Sequence, residues 1–215
     1  MSEVKVQLLK RDAAAIVGGL SNTSKMNSKS FGISALECKT GQKLAKVSGS
    51  VCESCYACKG AYSWKSVKSA HARRLEALAH PEWIPAMVRL IKDETHFRFF
   101  DSGDFQDMDM LHMVVEVCRQ CPDTKFWIPT KERKLINRYL RENPEGFPPN
   151  MLVRLSAAMI DARPPTTPDG VNTSTVHKNF KPHGKACRAP LQNNECRNCR
   201  DCWNPEIKNI SYKAH

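Results

Sequence analysis

The chain lacks any long apolar run. Its longest nearly apolar stretches, such as Ala13–Leu20, fall far short of the about 20 residues a spanning helix needs, so no membrane-embedded protein is expected. The opening residues, MSEVKVQLLKRD, carry an early acid and no apolar stretch leading to a cleavage site, so a secretory signal is not expected and a cytoplasmic setting is. The seven histidines form neither HxH nor HExxH, which excludes the common histidine-based zinc patterns. No internal repeat and no base-reading nucleic-acid motif is visible.

What is present is a domain-sized chain: 215 residues, 41% hydrophobic and 26% charged, with a mean hydropathy of -0.49. Those values suit a soluble globular domain with its own core. The abnormal number is ten cysteines. In a reducing compartment clustered thiols hold metal more often than they form disulfides. Six of them form two triplets with two-residue spacers, Cys52/Cys55/Cys58 and Cys196/Cys199/Cys202. Cys38, Cys187, Cys118 and Cys121 remain.

The net charge of +11 is uneven. Residues 1–74 carry 13 basic and 4 acidic side chains, residues 75–150 carry 10 and 13, and residues 177–215 carry 8 and 3. Both cysteine groups thus lie in basic sequence. Clustered Lys and Arg can neutralise the phosphates of DNA or RNA. They can equally balance the clusters, since two four-thiolate [4Fe-4S] centres would lower the net charge to about +7.

Apolar spacing predicts helices over 62–79, from Pro81 onward, over 107–119 and over 132–142, with strands over 30–36, 96–101, 125–129 and 151–157. The alternation argues for parallel β/α units whose sites gather at the carboxyl ends of the strands. The units are too few for an eight-unit barrel, so the expected fold is α/β, a reduced or partial β/α barrel. The expected organisation is an N-terminal segment over 1–29, a core over 30–176 and an irregular cysteine-rich C-terminal segment over 177–215 that relies on metal for order.

Cys187-x8-Cys196-x2-Cys199-x2-Cys202 bends the chain around a compact inorganic core, as the CxxCxxC run of bacterial ferredoxins does, with four-thiolate zinc as the alternative. At the N-terminal side, Cys38 precedes Cys52, Cys55 and Cys58. Four ligands there would saturate a cluster; three would leave one iron open to a substrate or cofactor. Cys118 lies on the apolar face of an expected helix, so Cys118 and Cys121 read as a core cysteine and a helix-end cysteine rather than a third site. Asp101, Gly103 and Asp104 stand where a strand turns into a helix. Gly103 permits a tight turn and close ligand approach, while either aspartate could accept from an ammonium or a ribose hydroxyl; capping by Asp104 or Asp107 is the competing account. Arg154 inside MLVRLSA would need an anion, a carboxylate or a cluster nearby if its face is buried, and Lys131 could meet a carboxylate or phosphate. Trp64, Trp83 and Trp127 have periodic apolar neighbours and are expected in the core, with Trp203 shielding the adjacent cluster.

GSVCESCYACKGAY, RFFDSGDF, VRLSA and CRNCRDCW together resemble the bacteriophage gene product 88 family, over roughly residues 20–205. The resemblance implies a reduced radical S-adenosylmethionine-like barrel, [4Fe-4S] clusters at both ends of the chain, S-adenosylmethionine as a cofactor and the cytoplasm of an infected bacterium. It implies Cys52 and Cys55 in a CxxCYA element and Cys38 as the upstream ligand, with Tyr56 beside them. Cys58 falls in the YAxKG segment. Gly103 and Asp104 resemble the Gly-Gly-Glu element that holds the methionyl amine, and Arg154 stands in reach of the same cofactor. The usual CxxxCxxC spacing, with an aromatic residue directly before the last cysteine, is replaced by CxxCxxC with Tyr56 two before Cys58. The expectation that follows is an iron–sulfur protein, radical-SAM-like and acting on nucleic acid or a small molecule. Its alternative is a non-catalytic iron–sulfur or zinc protein that binds nucleic acid or exchanges electrons with a donor.

Overall fold

The strands of the sheet are built from alternation. In a computed structural model, which describes residues 8–214, Phe97 and Phe99 of β3 (His96–Phe99), Phe126 and Ile128 of β4 (Lys125–Thr130) and Val153 and Leu155 of β5 (Met151–Ser156) all point into one core. The intervening Arg98, Trp127, Leu152 and Arg154 fall on the opposite face, as a period of two requires. MSEVKVQ, on which the expected lack of a secretory signal rests, lies outside the described residues. Among the described residues no helix is long and apolar enough to cross a membrane.

The described residues form a mixed α/β fold with six α-helices and one eight-stranded sheet. Before β3 come β1 (Ser21–Asn22) and β2 (Lys29–Phe31); after β5 come β6 (Asn172–His177), β7 (Lys185–Ala186) and β8 (Asn209–Lys213). The order across the sheet is β1-β2-β3-β4-β5-β6-β8-β7, with β1–β2 antiparallel and every other pair parallel. Strands β2 to β6 succeed one another in chain order, but the sheet is open, with β1 and β7 at its edges.

Helices α1 (Lys10–Val17), α4 (Trp83–Ile91), α5 (Met108–Gln120) and α6 (Arg133–Glu142) follow one another across one face, each against the next. Asp107 starts α5 by accepting from the Met110 amide at 2.8 Å, a cap worth about 1 kcal/mol. Pro85 sits in the first turn of α4, where its missing amide hydrogen costs no helical bond. The short α2 (Lys39–Leu44) and the longer α3 (Lys65–Ala77) belong to the long β2–β3 excursion that carries the N-terminal cysteines.

Three expectations change. The strand expected over 30–36 ends at Phe31, because Ser34 accepts from the Leu36 amide and starts a tight 3-10 turn at Ala35–Glu37. Trp64, expected in the core, is 64% exposed, since it precedes α3 in an extended conformation. The stretch from 178 onward, expected to be irregular, contributes β7 and β8 to the sheet, and β8 shares five register pairs with β6.

Candidate metal centres

The N-terminal thiols are carried to the carboxyl ends of the central strands. After β2 the chain passes through the 3-10 turn to Cys38, which precedes α2. The Thr40 amide donates to Glu132 Oε1 at 2.9 Å, tying α2 to the exit of β4. The Val51 amide donates to the Ala158 carbonyl at 2.9 Å, tying the chain before Cys52 to the exit of β5. Cys55 then leads into a 3-10 turn, Tyr56–Cys58, and the Tyr56 hydroxyl donates to the Asp101 carbonyl at 2.7 Å beyond β3. Cys38 and Cys52 flank Gly41: a Cβ on that glycine would stand 2.8 Å from the Cys38 Cβ and 3.6 and 3.8 Å from the two sulfurs.

Electrostatics ties the thiols together. Burial pushes the Cys38 thiol far up, and the charges of Asp104, Cys55 and Cys52 push the same way against Lys131. Burial raises Cys52, with Lys131 opposing and Cys55 adding to it. Burial also raises Cys58, helped by Cys55 and Cys52, although Cys58 is exposed. Each thiolate is disfavoured by the others, so a cation among them would favour ionisation of all. Among the described residues, no three side chains of the usual ligand types are close enough to hold a single metal ion. Thiolates that clasp a four-iron cube stand farther apart than those around one ion, because the inorganic core fills the space between them.

Gly103 takes φ +81°, and a Cβ there would strike Ile33, so the turn admits only glycine. Asp104 is buried and caps no helix. Its carboxylate accepts from Thr130 Oγ1 at 2.6 Å, the Phe105 amide at 2.9 Å and the Lys131 amide at 2.7 Å. Burial outweighs those donors and pushes its pKa up to about 6. Asp101 is the carboxylate with a buried oxygen lacking any partner. Arg154 is fully buried and forms no ion pair among the described residues: its guanidinium donates to the carbonyls of Cys202, Thr173, Ile207, Asp201 and Asn204 at 2.8–3.4 Å. It serves the C-terminal loop.

That loop crosses the opposite face of the sheet. The Cys187 amide donates to the Ser211 carbonyl at 2.9 Å and the Cys196 amide to the Lys25 carbonyl at 2.7 Å. Cys202 lies 3.4 Å from the Tyr212 hydroxyl. Burial raises the Cys202 thiol to about 12, with Tyr212, Arg154 and Arg98 opposing. Cys196 is raised by burial and by Cys187, with Arg98 again opposing. Cys196 and Cys199 line a hollow of about 440 Å³ with Arg188, Arg197 and Arg200. Trp203 is buried, donates to the Phe97 carbonyl at 2.9 Å, and packs with Trp127 and Met26 beside Cys196 and Cys202. Cys118 and Cys121 are buried in the core.

The family model described as gene product 88 matches residues 7–209. The chain belongs to that family. The match spans both cysteine groups, the Gly103 turn and Arg154. No curated protein and no solved structure matches the chain.

Within this family member, Cys38, Cys52, Cys55 and Cys58 come together with Tyr56, Gly103 and Asp104 at one end of the sheet, while Cys187, Cys196, Cys199, Cys202 and Arg154 lie together across its face. Two contributors escaped the sequence reading. Arg98 lies between the groups, and the alternation of HFRFF already put it opposite Phe97 and Phe99. Gly41 escaped because no periodicity marks a close approach to sulfur.

Proposed function

We propose that this protein is an iron–sulfur protein of radical-SAM-like type, with one [4Fe-4S] cluster on the N-terminal thiols and a second on the C-terminal ones. The observation that carries the reading is the meeting of Cys38, Cys52 and Cys55, drawn from two stretches of chain, at the carboxyl ends of successive parallel strands beside Gly103. There β/α proteins keep their sites. The sheet is read as a reduced barrel with its mouth at this end. A cluster with one open iron supplies, when bound, the one-electron reduction of a coordinated S-adenosylmethionine. The chain's part is placement: Gly103 lets the turn pack closely on Ile33 beside the thiols, the free oxygen of Asp101 is an acceptor for an amine or hydroxyl, and Asp104 holds the exits of β3 and β4 together.

At the C-terminal site, Arg98 Nε and Trp127 Nε1 are buried donors with no partner. An inorganic sulfide core brings acceptors that a bare zinc ion does not, and this supports iron–sulfur over the zinc alternative. The second reading, a saturated and non-catalytic protein that exchanges electrons with a donor, is favoured by the hydrogen bond between the Cys58 and Cys55 side chains. In either case the proposed setting is the cytoplasm of a phage-infected bacterium.

Anaerobic purification with iron, sulfide and zinc analysis tests the reading. About eight irons and eight sulfides per chain are expected for two clusters; zinc without sulfide overturns it. Reduced protein whose EPR spectrum changes on adding S-adenosylmethionine supports the open iron. An unchanged spectrum favours the saturated reading.

A further inference from the structure

We propose that the rim around the N-terminal thiols binds single-stranded nucleic acid, with Trp64 as a stacking platform and Lys59, Lys65 and Lys68 as phosphate contacts. The inference builds on the proposed function only in taking this mouth as the working end of the molecule. It rests on the surface itself.

Among the described residues seven large hydrophobic side chains are exposed, and four of them, Leu36, Val47, Tyr56 and Trp64, belong to the single excursion that carries Cys38 to Cys58. That concentration sets this face apart from the scattered apolar residues of an ordinary surface. The same stretch exposes Lys39, Lys43, Lys46, Lys59, Lys65 and Lys68. Lys39 donates to the Gln106 carbonyl, and the other five form no ion pair with the described residues. Only Glu37 and Glu53 oppose them over residues 36–68, and Glu53 is engaged by the Gly49 amide at 2.8 Å. An uncompensated positive rim fits a polyanion.

The aromatics make the occupant more specific. Tyr56 is 46% exposed and held in place: its hydroxyl is anchored to the Asp101 carbonyl and its ring packs edge-on against Tyr62 at 5.8 Å. Trp64 follows the 3-10 turn Gly60–Ser63 and stands free at the start of α3. Lys59 falls between these two rings and Lys65 follows the second. Exposed rings interleaved with cations suit unpaired bases and their phosphates, and a base inside a duplex offers no free face to such a ring. An anionic membrane would call for one amphipathic helix with a continuous apolar face. Here the four apolar side chains sit on separate turns.

The test uses the full chain, anaerobically purified with its metal, and a fluorescein-labelled oligothymidylate at about 50 mM salt, where phosphate contacts are strong. Affinity should fall as salt rises. Trp64→Ala should weaken binding at least about five-fold, the loss of one stacked base. Lys59→Ala with Lys65→Ala should reduce the salt slope by about 1.4, two single-strand phosphate contacts. Lys92→Glu, at the far end of α4, should change neither, and circular dichroism checks that each variant is folded. Loaded protein with no affinity for the oligonucleotide overturns the inference and leaves the cluster reading standing. Equal losses in Lys92→Glu and Trp64→Ala also overturn it, because binding would then follow net charge alone. Trp64-dependent binding to phosphatidylserine vesicles or to an acidic peptide, without the oligonucleotide, overturns it in favour of those partners. Protein that lacks iron yet binds the strand through Trp64 upholds the inference while the cluster reading fails.

Discussion

Arg98 donates to the Tyr56 hydroxyl at 3.2 Å while its guanidinium lies 4.4 Å from the centre of the Trp127 ring. One cation therefore touches the turn that carries Cys55 and Cys58 and also the aromatic pair, Trp127 and Trp203, beside Cys196 and Cys202. A cation near a cluster favours its reduced, more negative state. If the two proposed clusters are present, Arg98→Met is expected to move the midpoint potentials of both to more negative values in EPR-monitored redox titrations. A shift confined to one cluster would show that Arg98 serves that site alone.

Gly41→Ala is expected to disturb the N-terminal site selectively. The added methyl group meets the Cys38 Cβ at 2.8 Å, so the backbone that aims Cys38 and Cys52 has to shift. With the two proposed clusters, the iron content should fall by about half, the share of one of two similar clusters. The same loss in a variant with the four C-terminal cysteines changed to serine would assign it to the N-terminal site. An unchanged iron content would show that Cys38 is no ligand.

Arg154 links β5 to five carbonyls. Arg154→Ala leaves those acceptors buried and is expected to cost on the order of 3 kcal/mol, since charged hydrogen bonds contribute more than neutral ones. Lysine lacks the planar fork and should recover only part of this. Urea unfolding measures the cost, and hydrogen exchange should show faster opening over residues 201–207.

His71 is buried, stacked on Tyr62 at 6.0 Å. Burial lowers its pKa from 6.5, with Arg74 adding to the effect and Asp101 opposing it. The unfolded chain therefore takes up this proton first. Stability from the neutral ring is complete above pH 6.5 and is lost as pH falls through 6.5 toward the lower folded value. Urea midpoints between about pH 8 and 5 should carry this loss on the acid side, set against the gain from Asp104, whose pKa is raised to about 6 and which takes up its proton first in the folded state. His71→Gln should shift the slope toward rising stability on the acid side, leaving the parts due to Asp104 and to His96, whose pKa burial also lowers. An unchanged slope would count against burial of the neutral ring.

Local pattern made β3, β4, β5, α5 and α6 legible, because each buries one regular face. Cysteine spacing likewise singled out the two groups that the fold gathers. The roles of Asp104 and Arg154 were not legible: the partners that use up their hydrogen-bonding capacity lie 26 and more than 45 residues away or in backbone carbonyls, which no side-chain motif records. Trp64 misled for the opposite reason. It has the spacing of a core residue, but the helix begins one position after it. β8 escaped because NISYK is short and its pairing with β6 is distant in sequence.

The position of β8 between β6 and β7 dictates an order of assembly. Among the described strands β7 pairs with β8 alone, although the chain makes β7 first. Lys185 and Ala186 gain their ladder partner only with β8, and so does Cys187, whose amide donates to the Ser211 carbonyl of β8. The C-terminal thiol set is thus incomplete until the last strand of the sheet is in place. Loading of the proposed C-terminal cluster would then be coupled to the end of folding, since Cys196, Cys199 and Cys202 would lack their proposed fourth partner until β8 is in place.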